Sequence, residues 1–314
     1  VKRFLLLAVI ATSAVAVTAA QARSPGIRLT LAFHRITQGD VEILNATVPR
    51  SGTCSLTVRY ANGRRQPLGD YHEQGHQVSW EWLVPPRAAV GRAKARVACG
   101  GSEARSGAFV VRRRPYSSVA VVQRGFTQLR NGRGGTNISW GVVLVNRSQQ
   151  EARNVTVYAN FLDAAGDLVL TDFVRVAGIA PGATYYAGSV ADTAGFPVAT
   201  RLVAVVNGTH DTPQTLASPD VTNVLVSAGD GDGSTVVSGD VTNDGTTQLS
   251  SDGVIFAVLF DGAGKVIGGG LGFPPSALAP GAEGAFEIHT GPGGPPASSV
   301  SQVRLSADPE YGSG

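Results

Sequence analysis

The chain has 314 residues, of which 43% are hydrophobic and 16% charged, with 40 Gly, 17 Pro, two Cys and a formal net charge of +3. That length suggests two or three domains with cores of their own. So much Gly and Pro with so little charge excludes a mainly helical protein and favours turn-rich β structure. After the first twenty-odd residues, no stretch shows helical periodicity with caps.

Lys2-Arg3, the apolar run from Phe4 to Val17 and then Ala20-Gln21-Ala22 form the basic, apolar and small-x-small parts of a secretory signal peptide. Residues 1–22 are therefore set apart from the fold. Cleavage is expected after Ala22, and the mature chain is expected to be secreted or associated with the cell envelope. No Cys near that point offers a lipid anchor, and no later run reaches the ~20 apolar residues of a membrane-spanning helix, so no transmembrane anchor is expected.

Residues 23–115 read as a first β domain. Its Cys54 and Cys99 are the only cysteines, and an even pair in an exported chain reads as a disulfide. Between them Val78, Trp80, Trp82 and Val84 alternate with Ser79, Glu81 and Leu83. Both Trp thus share one strand face, and core packing is favoured there over a sugar-stacking platform. A Cys, a central Trp and a second Cys resemble the immunoglobulin-type sandwich, in which Trp packs on a bridge between the sheets. Val97 stands where that fold has a Tyr, so the strand order stays open. The segment also resembles an N-terminal module of exported actinobacterial proteins, on Trp80-x-Trp82, Gly91 and the run from Val97 to Gly100.

Arg112-Arg113-Arg114-Pro115 marks the first boundary. Residues 116–212 and 213–314 then repeat one another. Phe161-Leu162-Asp163-Ala164-Ala165-Gly166 returns as Leu259-Phe260-Asp261-Gly262-Ala263-Gly264. Asn146 precedes Asp163 by 17 residues, and Asn243 precedes Asp261 by 18; Pro181 and Pro280 follow 18 and 19 residues later. Before each Asp an alternating run, Val157, Ala159 and Phe161 or Ile255, Ala257 and Leu259, predicts a half-buried strand. Asp-x-x-Gly predicts a hairpin turn, with the Asp side chain capping backbone N–H groups and Gly taking positive φ. In separate domains, Asp163 and Asp261 read as turn residues and not as an acid pair. The Gly291-Pro292-Gly293-Gly294-Pro295-Pro296 loop is expected to be flexible, and Val300 to Ala307 reads as the last strand.

These repeats resemble the bacterial secreted domain named FxLYD. Gly239-x-Val241-x-Asn243, Leu259-Phe260-Asp261, Gly264, Pro280-Gly281 and Phe286 match its pattern with Phe in place of Tyr. The first copy, with Gly141, Asn146 and Phe161-Leu162-Asp163, is looser. The resemblance implies an immunoglobulin-like sandwich. The expected fold is all-β: three tandem β-sandwich domains after a signal peptide.

Candidate chemistry is sparse. His72-Glu73-Gln74-Gly75-His76 is a literal His-Glu-x-x-His, which binds zinc through His72 and His76 only when a helix presents both on one face. Gly and Asp surround it and a strand begins at Val78, so an exposed polar loop is the favoured reading. Asp230-Gly231-Asp232 begins like a calcium loop, but Thr235 and Val241 stand where an EF-hand has Gly and Glu. The run from Gly262 to Gly272 joins strands and opens no helix, so it is not a dinucleotide loop. No cofactor is expected.

Charge is uneven along the chain: residues 23–115 carry 15 basic and 6 acidic side chains, while residues 211–314 carry 2 and 12. Arg59, Arg64 and Arg65 on one strand and turn, and Arg112, Arg113 and Arg114 at the domain exit, are the candidate contacts to an anionic polymer. Partners are then an anionic envelope component or another protein, including a second copy meeting the first head to tail. Nucleic acid is not expected without an aromatic-basic binding pattern. The function expected is non-enzymatic binding or scaffolding outside the cell; the alternative is a zinc-dependent hydrolase using His72, Glu73 and His76.

Overall fold

The structure, a computed structural model, describes residues 27–48, 52–73, 76–99, 102–130, 136–192, 197–207, 210–213, 218–229, 234–246 and 248–309. The expected signal peptide and the Asp230–Asp232 turn lie outside them. The described chain is all-β, with one short 3-10 turn at Ala297–Ser299 as its helical element.

The first unit holds β1 (Arg28–Leu31), β2 (Arg35–Thr37), β3 (Val41–Thr47), β4 (Gly52–Arg59), β5 (Arg65–Glu73), β6 (Gln77–Leu83), β7 (Gly91–Cys99) and β8 (Ser102–Arg112). A three-stranded sheet β1-β3-β6 faces a five-stranded sheet β2-β8-β7-β4-β5. Strand alternation puts Leu44 and Ala46 of β3, Leu56 and Val58 of β4, Ala93, Ala95 and Val97 of β7 and both Trp of β6 in one core. Trp80 and Trp82 are buried, so neither offers a stacking platform.

The Cys54–Cys99 disulfide is present, but not between the sheets. Cys54 and Cys99 are directly opposed residues of the neighbouring strands β4 and β7, with Cα atoms 4.2 Å apart. That close spacing belongs to the non-hydrogen-bonded pairs of an antiparallel ladder. The bridge therefore fixes register within one sheet, while the two sheets are held together by core packing.

The second unit holds β9 (Val119–Arg130), β10 (Thr136–Asn146), β11 (Glu151–Leu162), β12 (Leu168–Ile179), β13 (Thr184–Asp192), β14 (Arg201–Val206) and β15 (His210–Thr212). The third holds β16 (Asp220–Ala228), β17 (Thr235–Thr242), β18 (Val254–Phe260), β19 (Val266–Gly272), β20 (Glu283–His289) and β21 (Gln302–Asp308). Sheets β13-β10-β9 and β12-β11-β14 of the second unit reappear as β20-β17-β16 and β19-β18-β21 of the third. The sequence repeat is thus a repeat of topology, to which the second unit adds β15, paired with the start of β11.

The turns are built as the repeat demands. Asp163 Oδ1 accepts from the N–H groups of Gly166 and Asp167, and Asp261 Oδ1 from those of Ala263 and Lys265, each at 2.9 Å. Gly166 and Gly264 sit at φ of 91° and 72°, where a Cβ would be strained. The repeated Asn is buried and ties its strand end to the Ala-Pro-Gly-Ala turn. Asn146 Nδ2 donates to the carbonyls of Gln150, Ile179 and Ala180, and Asn243 Nδ2 to that of Leu278.

One expectation fails in the third unit. Strand β18 is buried on both faces, not one. Ile255, Ala257 and Leu259 point into its own core; Val254 and Phe256 join the core of the second unit, and Val258 and Phe260 pack with Val143 and Tyr186. The reason is a contact between β-sheets of unusual closeness. Gly125, Gly141 and Gly188 line up across β9, β10 and β13. Over them lies β19 with its Gly run. A Cβ on Gly125 would stand 1.7 Å from the Val266 carbonyl oxygen, and one on Gly141 2.6 Å from that of Gly268. Ser139 Oγ donates to the Gly269 carbonyl at 2.6 Å and accepts from the Gly269 N–H at 3.0 Å. Glycine is required here because two backbones touch. The Gly291–Pro296 loop is also docked rather than loose: Gly293, Gly294 and Pro295 are buried, and Leu129 N–H donates to the Gly293 carbonyl at 2.9 Å.

Candidate anion-binding face

The outer face of the five-stranded sheet is where the first unit's charge collects. On β7, Ala93, Ala95 and Val97 are buried, so the pleat turns Arg92, Lys94 and Arg96 outward. Thr57 and Arg59 of β4 point the same way, beside Arg96 and Lys94 respectively. Arg65 of β5 is the register partner of Arg59 on its other side. Arg65, Arg59 and Lys94 thus form one row across three adjacent strands. Neighbouring strands are about 4.8 Å apart and same-face residues about 7 Å, which sets the grid of positive charge.

The band continues across the sheet. Arg92 stands opposite Val110 of β8, Val110 opposite Arg35 of β2, and Arg112 opposite Thr37. In the backbone register Arg105 is opposite Arg96 and Glu103 opposite Ala98, at the disulfide end. A shallow groove of about 470 Å³ lies on this face, lined by Arg59, Arg65, Lys94 and Arg96 with Ser55 and Thr57, over a floor that includes Ala98.

Like charges directly opposed on neighbouring strands destabilise a sheet by a few tenths to about 1 kcal/mol per pair. Arg65–Arg59 and Arg59–Lys94 are two such pairs side by side. Folding alone gives no reason for them. An incoming anion relieves the repulsion, and guanidinium groups present paired N–H donors that fit phosphate or carboxylate oxygens.

The six arginines singled out by sequence separate in space. Arg59 and Arg65 meet in the row, and Arg112 shares the face farther along. Arg64 is in the turn before β5, exposed, its N–H held by Asn62 Oδ1 at 3.1 Å. Arg113 is exposed beyond the end of β8. Arg114 leaves the group altogether: its guanidinium pairs with Asp40 and donates to the carbonyls of Gln38 and Val206 and to Asn207 Oδ1. It rivets the first unit to the second and is not a contact for a polymer. Arg35, Arg92, Lys94 and Arg96 join the face only through strand register, although the period-two pattern Arg92-x-Lys94-x-Arg96 stands in the sequence.

The zinc motif does not take its helical form. His72 and Glu73 close strand β5 instead of standing on a helix, and Gln74 and Gly75 lie outside the described residues. His76 is exposed, with Nδ1 3.2 Å from the Val48 carbonyl oxygen. Among the described residues, no cluster of three or more His, Cys, Asp or Glu is placed to hold a metal ion. No helix among them is long and apolar enough to cross a membrane.

No protein-family model and no curated protein sequence matches the chain. Solved structures with which it shares some likeness include the native conformation of E. coli alpha-2-macroglobulin, at 10% identity and a TM-score of 0.24, over 90% of this chain and 21% of that one. Dimeric latent PorU from Porphyromonas gingivalis matches at 10% identity and a TM-score of 0.23, over 84% of this chain and 30% of that one. A tetra-tandem repeat from the extending region of a large adhesion protein matches at 16% identity and a TM-score of 0.19, over 91% of this chain and 71% of that one. The chain spans under a third of the length of the first two, and likeness this distant carries no argument about function.

Proposed function

We propose that the protein is a non-enzymatic binding module that holds an anionic polymer of the cell envelope on the outer sheet face of its first unit. The observation that carries this reading is the row of opposed like charges, Arg65–Arg59–Lys94. A linear polyanion lying across the strands meets all three cations within about 10 Å. The chain's resemblance to exported domains of the FxLYD type fits a role outside the cell, with the second and third units serving as a rigid extension behind the binding unit.

Titration of the chain with a phosphodiester polymer (teichoic acid), a carboxylate polymer (alginate) and neutral dextran tests the reading. Both charged polymers are expected to bind at low salt and to weaken steeply as the Debye length falls from about 30 Å at 10 mM to about 8 Å at physiological salt. Replacing Arg59 and Lys94 together by Ala should cost about tenfold in affinity, near 1.4 kcal/mol. Replacing His72 and His76 by Ala should leave binding as it is. Equal binding of dextran, or binding indifferent to salt, overturns the proposal.

A further inference from the structure

The third unit carries the opposite charge on the outer face of one of its sheets. Val237 and Val241 of β17 and Phe286 and Ile288 of β20 are buried in its core, so alternation turns Asp240 of β17 and Glu283 and Glu287 of β20 outward. Register adds β16: Asp220 stands opposite Thr242, which stands opposite Glu283, and Leu225 stands opposite Ser238, which stands opposite Glu287. The outer face of β16-β17-β20 therefore displays four carboxylates. The imidazole of His289 is the one Lys, Arg or His side chain described there, with Nε2 3.6 Å from Glu287 Oε2. Each of the two charged faces also holds an exposed apolar side chain: Leu225 is 67% exposed on the acidic face and Val110 39% exposed on the basic one.

We propose that the chain associates with further copies of itself head to tail, the acidic face of β16-β17-β20 in one copy docking on the basic face of β2-β8-β7-β4-β5 in the next. Complementary charge over two sheet faces, each with an apolar residue in its field, is what such a contact needs. Among the described residues, the two faces of a single copy do not meet. No strand of the first unit packs extensively on a strand of the third, and the second unit stands between them, held to one by Arg114 and to the other by the glycine contact. The contact joins different surfaces, so it does not close on itself and adds copies in a row.

Its strength is bounded by size. Three strands of seven to nine residues offer about 350 Å² per copy, well below the roughly 800 Å² per partner of a standard interface. Association is therefore weak, reversible and confined to low salt. It uses the same basic face as polymer binding but does not depend on that reading, and a polymer is expected to compete with it.

Sedimentation velocity of the full chain without polymer is the test. The wild type should show concentration-dependent growth at about 10 mM salt and a single monomer at about 0.15 M. A variant with Glu283→Lys and Glu287→Lys should stay monomeric at low salt, and so should one with Arg59→Glu and Lys94→Glu. Mixing the two variants should restore association, because each supplies the face the other lacks. A monomeric wild type at low salt, undiminished association in either variant, or no recovery on mixing overturns the proposal. The Glu283→Lys, Glu287→Lys variant should still bind teichoic acid. If it loses self-association and keeps the polymer, the two readings are separated; if the wild type binds polymer yet never associates, only the head-to-tail contact falls.

Discussion

Strands β11 and β18 are the same strand twice, and they live in different surroundings. Both carry the repeated turn, both lie between equivalent strands in the same order, although β11 also pairs with β15, and both turn an alternating apolar set into their own core. On β11 the opposite face stays partly open: Tyr158 stacks with Phe173 at 6.0 Å between ring centroids, and Arg175 lies over the Phe173 ring. On β18 the opposite face is apolar and wholly buried against the second unit. The inward residues and the turn define the fold of each copy. The outward residues decide whether that strand's second face stays partly open or packs on the neighbouring unit.

The largest effect should come from breaking the contact that makes the two copies differ. Gly125→Val places side-chain carbon where the Val266 carbonyl now lies, and overpacking against backbone costs about 3 kcal/mol or more. Calorimetry should show the second and third units melting together in the wild type and separately in the variant. A single unshifted transition would mean that the glycine contact does not couple them. Next come the two asparagines. Asn146→Ala removes the buried amide that bonds the carbonyls of Gln150, Ile179 and Ala180, and Asn243→Ala the one that bonds the carbonyl of Leu278; each should cost about 2–3 kcal/mol. Denaturant titration of each variant checks the loss, and a loss under about 1 kcal/mol in either would show that its strand end is held by other contacts. The smallest effect is expected at the turns. Asp163→Ala and Asp261→Ala each remove two hydrogen bonds to the N–H groups of the turn, and each should cost about 1 kcal/mol, alike in both copies. A clear difference between them would mean that docking reaches as far as the turn.

What can be read from the sequence follows range. The Asp163 and Asp261 turns are written within five residues, because a short acid side chain and a positive-φ glycine act on their immediate backbone. The strand cores are written as period-two runs for the same reason. Asn146 and Asn243 stand out as repeated letters, but their partners lie some 30 residues away in sequence and appear only once the strands are paired. The glycine contact is harder still: Gly125, Gly141 and Gly188 belong to three strands, and nothing local says that they align or that β19 lies over them. On the basic face the limit was different. Arg92, Lys94 and Arg96 are as regular as Ala93, Ala95 and Val97 between them, yet only their register against Arg59 and Arg65 turns scattered charges into a row. Arg114 shows the converse, since a residue adjacent to Arg112 and Arg113 in sequence serves the domain junction instead.

The placement of the disulfide has a mechanical consequence. Because Cys54 and Cys99 are directly opposed on adjacent strands, a pull along the chain passes from β4 to β7 through the sulfurs and bypasses everything between them. The 45-residue separation is then hidden length, about 150 Å of contour that tension cannot draw out while the bridge is closed. That hidden segment contains β5, most of β7 and both Trp, and with them Arg59, Arg65, Lys94 and Arg96. A bound polymer tugging on this face loads a loop of fixed circumference, which cannot lengthen as an open chain would.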